Sequence, residues 1–154
     1  MNMKCFGVIG LLLLVIAGGA YKFIFQGSVS SSTDGRTAIH LDAGERDMIL
    51  AEMRAFLASV QQVTAGIYEN DLQRVAEHAR KSGKAAQAAV PGTLMGKLPM
   101  QFKQPGLDTH TKFDQLAMDV EDLGDGNHAL AQLSMLMQNC VGCHAAYRID
   151  VSGK

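Results

Sequence analysis

The chain has 154 residues, room for a single domain, with no Trp and few aromatics. Its 14 Lys and Arg nearly cancel 15 Asp and Glu, which argues against the basic footprint of a nucleic-acid binder. Three cysteines, Cys5, Cys140 and Cys143, are too few for a disulfide framework.

The N-terminus reads as an export element. Lys4 precedes an uncharged run from Phe6 to Ala20, a short positive region followed by an apolar one. The run resumes after Lys22 with Phe23, Ile24 and Phe25, and through Phe25 it is long enough for a helix across a bilayer core. Lys22 can extend its ammonium to the headgroups. Two readings stand: a signal cut after Ala20, with Gly18 and Ala20 as the small residues, or a retained anchor. The apolar residues around the cut favour the anchor. Both readings place the rest of the chain outside the cytoplasm, either tethered to the inner membrane on its periplasmic side or soluble in the periplasm. Cys5 reads as a membrane-edge residue without a redox role. Without residues 1–25 the chain keeps 12 basic and 15 acidic residues, a net of −3, weakly favouring a basic docking partner.

Residues 26–39, rich in Ser, Gly and Thr, read as a flexible tether, and His40 is read with it rather than as a ligand. The domain then spans 40–154, with no internal repeat and no alternating strand pattern. Its first helix is expected from Gly44 to Tyr68, on a stripe of Ile49, Met53, Phe56, Val60, Val63 and Ile67. The second starts at Asn70 or Asp71 as N-cap, runs on Leu72, Val75, Ala76 and Ala79, and ends near Gly83; the Ala-rich stretch 85–89 extends it after a kink. A long connection from Val90 to about Asp108 holds all three prolines. The third helix is expected from Thr109 to Leu123, and a Gly-Asp-Gly-Asn turn leads to a fourth from Asn127 to about Ile149. Its stripe is Leu130, Leu133, Met137, Cys140, His144 and Tyr147. The pattern predicts an all-α fold: an antiparallel four-helix bundle preceded by an N-terminal hydrophobic helix.

The fourth helix carries the chemistry. Cys140-Val141-Gly142-Cys143-His144 is C-x-x-C-H. Each thiol of such a motif can add to one haem vinyl group, and three residues of helix bring both sulfurs to one edge of a macrocycle. The adjacent imidazole then reaches the iron as proximal ligand. Gly142 lets a porphyrin approach the backbone. Two rivals are a redox dithiol, which ordinarily follows a strand, and a zinc site, which needs a fourth ligand. The cofactor this motif implies is one covalent haem c per chain.

The stretch from Cys140 to Arg148, CVGCHAAYR, resembles the C-x-x-C-H-x-x-[YF]-R ending of class II c-type cytochromes, the cytochrome c′ family. The resemblance covers about residues 44–149, strongest at the motif. The hydrophobic N-terminus departs from the soluble members. The resemblance implies a haem within the bundle, with His144 proximal and the first helix on the distal side. A distal Met gives six-coordinate iron suited to electron transfer; an apolar residue leaves it open to small gases.

Met53 lies on the inward seam and is followed by Arg54, similar to the Met-Lys step of the Met-ligated members, so it is the expected distal ligand. The alternatives are Met53 as ordinary core, Leu50 as an apolar distal residue, and Met95 or Met100 from the long connection. Tyr147 is expected on the haem edge. Arg148, one turn after His144, is expected either at a propionate or as a solvated helix-end charge. Arg46 is a further propionate candidate, and Lys97 and Lys103 weaker ones. His78, His110 and His128 are expected to face solvent. The expected function is one-electron transfer with redox protein partners. The alternative is a five-coordinate module binding NO or CO, and a third reading is a haem-free interaction module. No constellation for substrate chemistry is visible, so the chain is not expected to be an enzyme. The resemblance also allows a homodimer.

Overall fold

The computed structural model describes residues 3–153, with side chains from Phe6. Cys5 falls within the first helix, but its side chain lies outside the described residues. Helix α1, Met3–Tyr21, continues as a π-helical turn over Lys22–Gln26. Phe6–Gln26 is long and apolar enough to cross a membrane. Strands β1 (Val29–Ser31) and β2 (Thr37–Leu41) lead to four bundle helices. These are α2 (Ala43–Glu69), α3 (Leu72–Lys81), α5 (Met100–Leu123) and α6 (Gly126–Ala146). Between α3 and α5 lie a 3₁₀ turn over Lys84–Ala89 and the short helix α4, Gly92–Lys97. Strand β3, Tyr147–Val151, closes the chain.

The ends of the helices follow from local chemistry. Asp42 and Glu45 form a reciprocal capping box at the start of α2, satisfying donors that a helix start leaves unpaired. Asn70 ends that helix in the left-handed conformation at φ 58°. The Asp71 carboxylate accepts from Arg74 N–H at the head of α3, and Asp125 does the same for Asn127 and His128 at the head of α6.

α2, α3, α5 and α6 pack in that order around one core, antiparallel at each step, with the α2–α6 seam the most open of the four. Phe56, Val63, Val75, Phe113, Leu116, Val120, Leu133 and Leu136 fill it. Phe56 and Phe113 stack with centroids 5.7 Å apart. Each such side chain contributes about 1.5–3 kcal/mol on leaving water. A second cluster of Ile39, Leu41, Ile49, Leu94 and Leu98 sits at the end where α2 and α5 begin and α6 finishes.

The helical bundle and the apolar N-terminal helix match the sequence pattern. Three local expectations do not. Residues 26–39 are not a loose tether: β1 and β2 pair antiparallel, and β2 pairs in parallel with β3 from Thr37↔Tyr147 to Leu41↔Val151. Ile39 and Leu41 are buried there, and this anchors the segment. For the same reason the last helix stops at Ala146 rather than Ile149, as Tyr147–Val151 goes to the sheet. The third bundle helix starts at Met100, nine residues before Thr109, with Pro105 inside it. Pro105 lacks an N–H for the helix ladder. Its carbonyl, however, accepts from the Thr109 hydroxyl at 2.7 Å and the Asn139 amide at 3.3 Å, so neighbours hold the first turns in place.

Candidate functional site

Cys140, Cys143 and His144 occupy the last two turns of α6, at the end of the bundle that also holds the sheet. Both thiols are free and half-buried. Burial pushes the Cys140 thiol up, and burial together with Cys140 pushes up Cys143. Both therefore stay protonated at neutral pH, unlike the low-pKa thiolate of a redox dithiol. The His144 side chain is exposed, and among the described residues its imidazole has no hydrogen-bond partner; only its backbone carbonyl is engaged, by Arg36 at 3.5 Å. No group of three or more His, Cys, Asp and Glu side chains able to hold a metal ion occurs among the described residues, so a protein-only zinc set is not assembled.

The flanks of α6 can be told apart by their partners. Gln132 bonds Asp119, and Asn139 bonds Asp108 at 2.8 Å, so that flank faces α5. At about 100° per residue, Leu130, Met137, Val141 and His144 lie on the opposite flank, towards α2. On α2, Gln62 accepts from Arg74 at 2.8 Å and marks the side facing α3. Leu50, Met53 and Leu57 lie on the other side, towards α6. Leu50, Leu57, Leu130, Met137 and Val141 are large apolar side chains left exposed along this open seam.

Met53 is partly buried and packs against both core clusters. A methyl of Ile67 lies within contact reach of Gly126. Counting about 1.5 Å per residue from there down both helices puts Met53 level with Cys140, about one turn from the level of His144. Met95 and Met100 are half-buried at the same end, Met95 within the second cluster. Leu50 is more exposed than either.

On its α5 side Cys143 lines a cleft of about 280 Å³ with Gln101, Pro105, Asn139, Gly142 and Tyr147. The Tyr147 ring meets Phe102 edge-on at 5.4 Å, and its hydroxyl donates to Gln101 at 3.4 Å. Tyr147 is thus beside the motif, in β3 rather than on the helix. A larger, shallow groove of about 550 Å³ between α3 and α5 is bridged by Arg80 and Glu121, at the opposite end of the bundle from the motif.

No family model, curated protein or solved structure matches this chain. The residues therefore carry the functional argument alone.

The basic residues named as candidates are held by carboxylates or by backbone carbonyls. Arg148 is not one helical turn below His144, because α6 has already ended. Its guanidinium, partly exposed, bonds Asp150 at 2.8 Å and approaches Asp34 at 3.5 Å. The Arg36 side chain, then Ser32, hold the Asp34 carboxyl well below the usual carboxylate range. Among the described residues the Arg46 guanidinium pairs with its neighbour Asp47 at 2.8 Å, an exposed bond of little strength. Lys97 bonds Asp42 and Glu45 at 2.9 and 2.7 Å, which raises its pKa. Lys103 is buried, its ammonium donating to backbone carbonyls.

His110 does not face solvent. It is 2% exposed, against Phe56 at 4.8 Å. Nδ1 lies 2.8 Å from the Ser82 carbonyl, and Nε2 lies 3.3 Å from Glu52. Burial pushes its pKa down, but Glu52 and the Ser82 and Gly83 carbonyls outweigh that, and the net direction is up. Sequence periodicity could have found it: His110 stands three residues before the buried Phe113. His40, in β2, bonds Ser30 at 2.7 Å.

Proposed function

We propose that this chain is a one-electron carrier on the exported side of a membrane, with haem c bound through Cys140 and Cys143. The observation that carries the reading is local. Two free, half-buried thiols one helical turn apart share the end of α6 with an exposed imidazole that has no hydrogen-bond partner among the described residues. The donor set fits the group: two sulfurs for vinyl addition and one imidazole for iron. The apolar residues along the α2–α6 seam are the surface a macrocycle would cover.

Bound haem supplies a single-electron couple; the protein fixes how that couple is ligated and shielded. Cys140 and Cys143 would fix the group's edge, and His144 would orient the iron. Leu50, Leu57 and Met137 would keep water from the face turned to α2. Met53, on that flank, would supply a thioether to the iron, a ligand that favours the reduced state. Tyr147 packs beside Cys143, where it would meet the edge of the macrocycle. α1 is a membrane anchor in this proposal, holding the carrier near redox partners in the same membrane and raising their effective concentration.

The test is the optical spectrum of the purified full chain in both oxidation states, with carbon monoxide added to the reduced form. The proposal expects low-spin bands throughout, a Met-to-iron charge-transfer band when oxidised, and no response to the gas. Met53→Ala is expected to turn the protein high-spin and gas-responsive. A high-spin wild type would favour the gas-binding module, and an unchanged Met53→Ala spectrum would remove Met53 from the iron.

A further inference from the structure

The joint between α1 and the domain has no slack. Gly27 ends the π-helical turn at φ 67°, and a β-carbon there would lie 2.5 Å from the Lys97 carbonyl oxygen and 2.6 Å from the Pro99 nitrogen. Only a residue without a side chain passes so close. Ser28 N–H donates to the same Lys97 carbonyl at 2.7 Å. The buried Lys103 ammonium donates to the Ile24 carbonyl at 2.7 Å and the Met95 carbonyl at 3.2 Å. It thereby places a cation against the last carbonyls of the apolar helix, where the helix dipole favours one. Above the joint α1 stands clear of the domain: from Phe6 to Gln26 every residue is exposed except Gly19, which is partly covered.

The apolar span runs to Gln26, and the next residue is already packed on the end of α4 and the Leu98–Pro99 link to α5. The exposed rings of Tyr21, Phe23 and Phe25 around Lys22 have the composition of a membrane–water interface. The first turns of α5 that hold Ile24 also supply Gln101 and Pro105 to the cleft beside Cys143. The joint and the motif therefore share one end of the bundle.

We propose that this end is seated on the phospholipid headgroups, with α1 acting as a stiff post, so that the C-x-x-C-H end faces the bilayer and the Asn70 and Gly124 turns point away from it. This rests on α1 spanning the membrane and does not depend on haem. A domain hung on a loose tether would sample every orientation; one packed within a residue of the span does not. A redox centre within the bilayer plane would then be the nearest partner to the motif.

The test uses the full chain in phosphatidylcholine vesicles with a headgroup-attached quencher lipid. A fluorophore on a non-natural side chain replaces exposed Thr93, beside the joint, or exposed Tyr68, at the far end; all cysteines stay native. The ratio of emission with and without quencher lipid is compared at the two positions. Quenching at 93 at least threefold stronger than at 68 is expected, since α2 alone spaces the ends by about 40 Å. Lys103→Met with a Gly-Ser insertion after Gln26 should bring the two positions close to equality. Equal quenching in the native joint, stronger quenching at 68, or an undiminished difference in the loosened joint would overturn the proposal. Failure of the chain to float with vesicles would overturn it together with the anchor. Bound haem, measured on the same samples, reports separately on the carrier reading.

Discussion

At the residue scale, one imidazole does two jobs. His110 joins α5 to Glu52 on α2 and to the end of α3, in the middle of the bundle. Its folded pKa lies above the ordinary histidine value, so its contribution is fully present below about pH 6.5 and is lost as pH rises through the folded value. Urea unfolding of the full chain in detergent should therefore show stability falling as pH rises past about 6.5. His110→Gln should flatten that slope and lower stability at pH 6 by about 1–3 kcal/mol, the scale for leaving buried polar partners unsatisfied. An unchanged slope would show that His110 does not titrate against Glu52. The motif itself was fully legible at this scale, because C-x-x-C-H is a local word. The remote partner of Arg148 was not: Asp34 is more than a hundred residues away in sequence, and no local pattern predicts that meeting.

At the element scale, periodicity located the four bundle helices, although α6 buries Ala129, Leu133 and Leu136 and leaves Leu130, Met137 and His144 of its expected stripe exposed. It failed where long-range pairing decides the outcome. Tyr147–Val151 continues a helical stripe on paper, yet it becomes a strand because Thr37–Leu41 offers a parallel edge with Ile39 and Leu41 already buried. The early start of α5 was hidden by Pro105, an ordinary helix breaker whose carbonyl is held by Thr109 and Asn139. The contact between α2 and α3 is set by Gly66, where a β-carbon would lie 2.8 Å from a Val75 methyl and 3.0 Å from the Asp71 carbonyl. Alanine would gain up to about 1 kcal/mol in helix propensity, but crowding of this kind costs about 1–3 kcal/mol. Gly66→Ala is expected to lower the denaturation midpoint without changing the slope. A raised midpoint would mean that the two helices can part at little cost.

At the scale of the whole molecule, the three-stranded sheet ties the two ends of the domain together beside the motif. Arg36 illustrates the tie, donating to the carbonyls of His144 and Tyr147 while bonding Asp34. Trypsin should therefore cut the native chain at Arg36 more slowly than an unfolded control by on the order of tenfold or more, because the ladder must open first. Asp34→Ala should speed that cut. Rapid cleavage of the wild type would restore a loose tether.

The central claim is that Cys140 and Cys143 hold haem covalently. It is tested most directly by maturing the full chain in a host that attaches c-type haem, unfolding it, and measuring its mass. One porphyrin per chain is expected after denaturation, lost in the double variant Cys140→Ser, Cys143→Ser. A wild-type chain at its bare polypeptide mass would contradict the account.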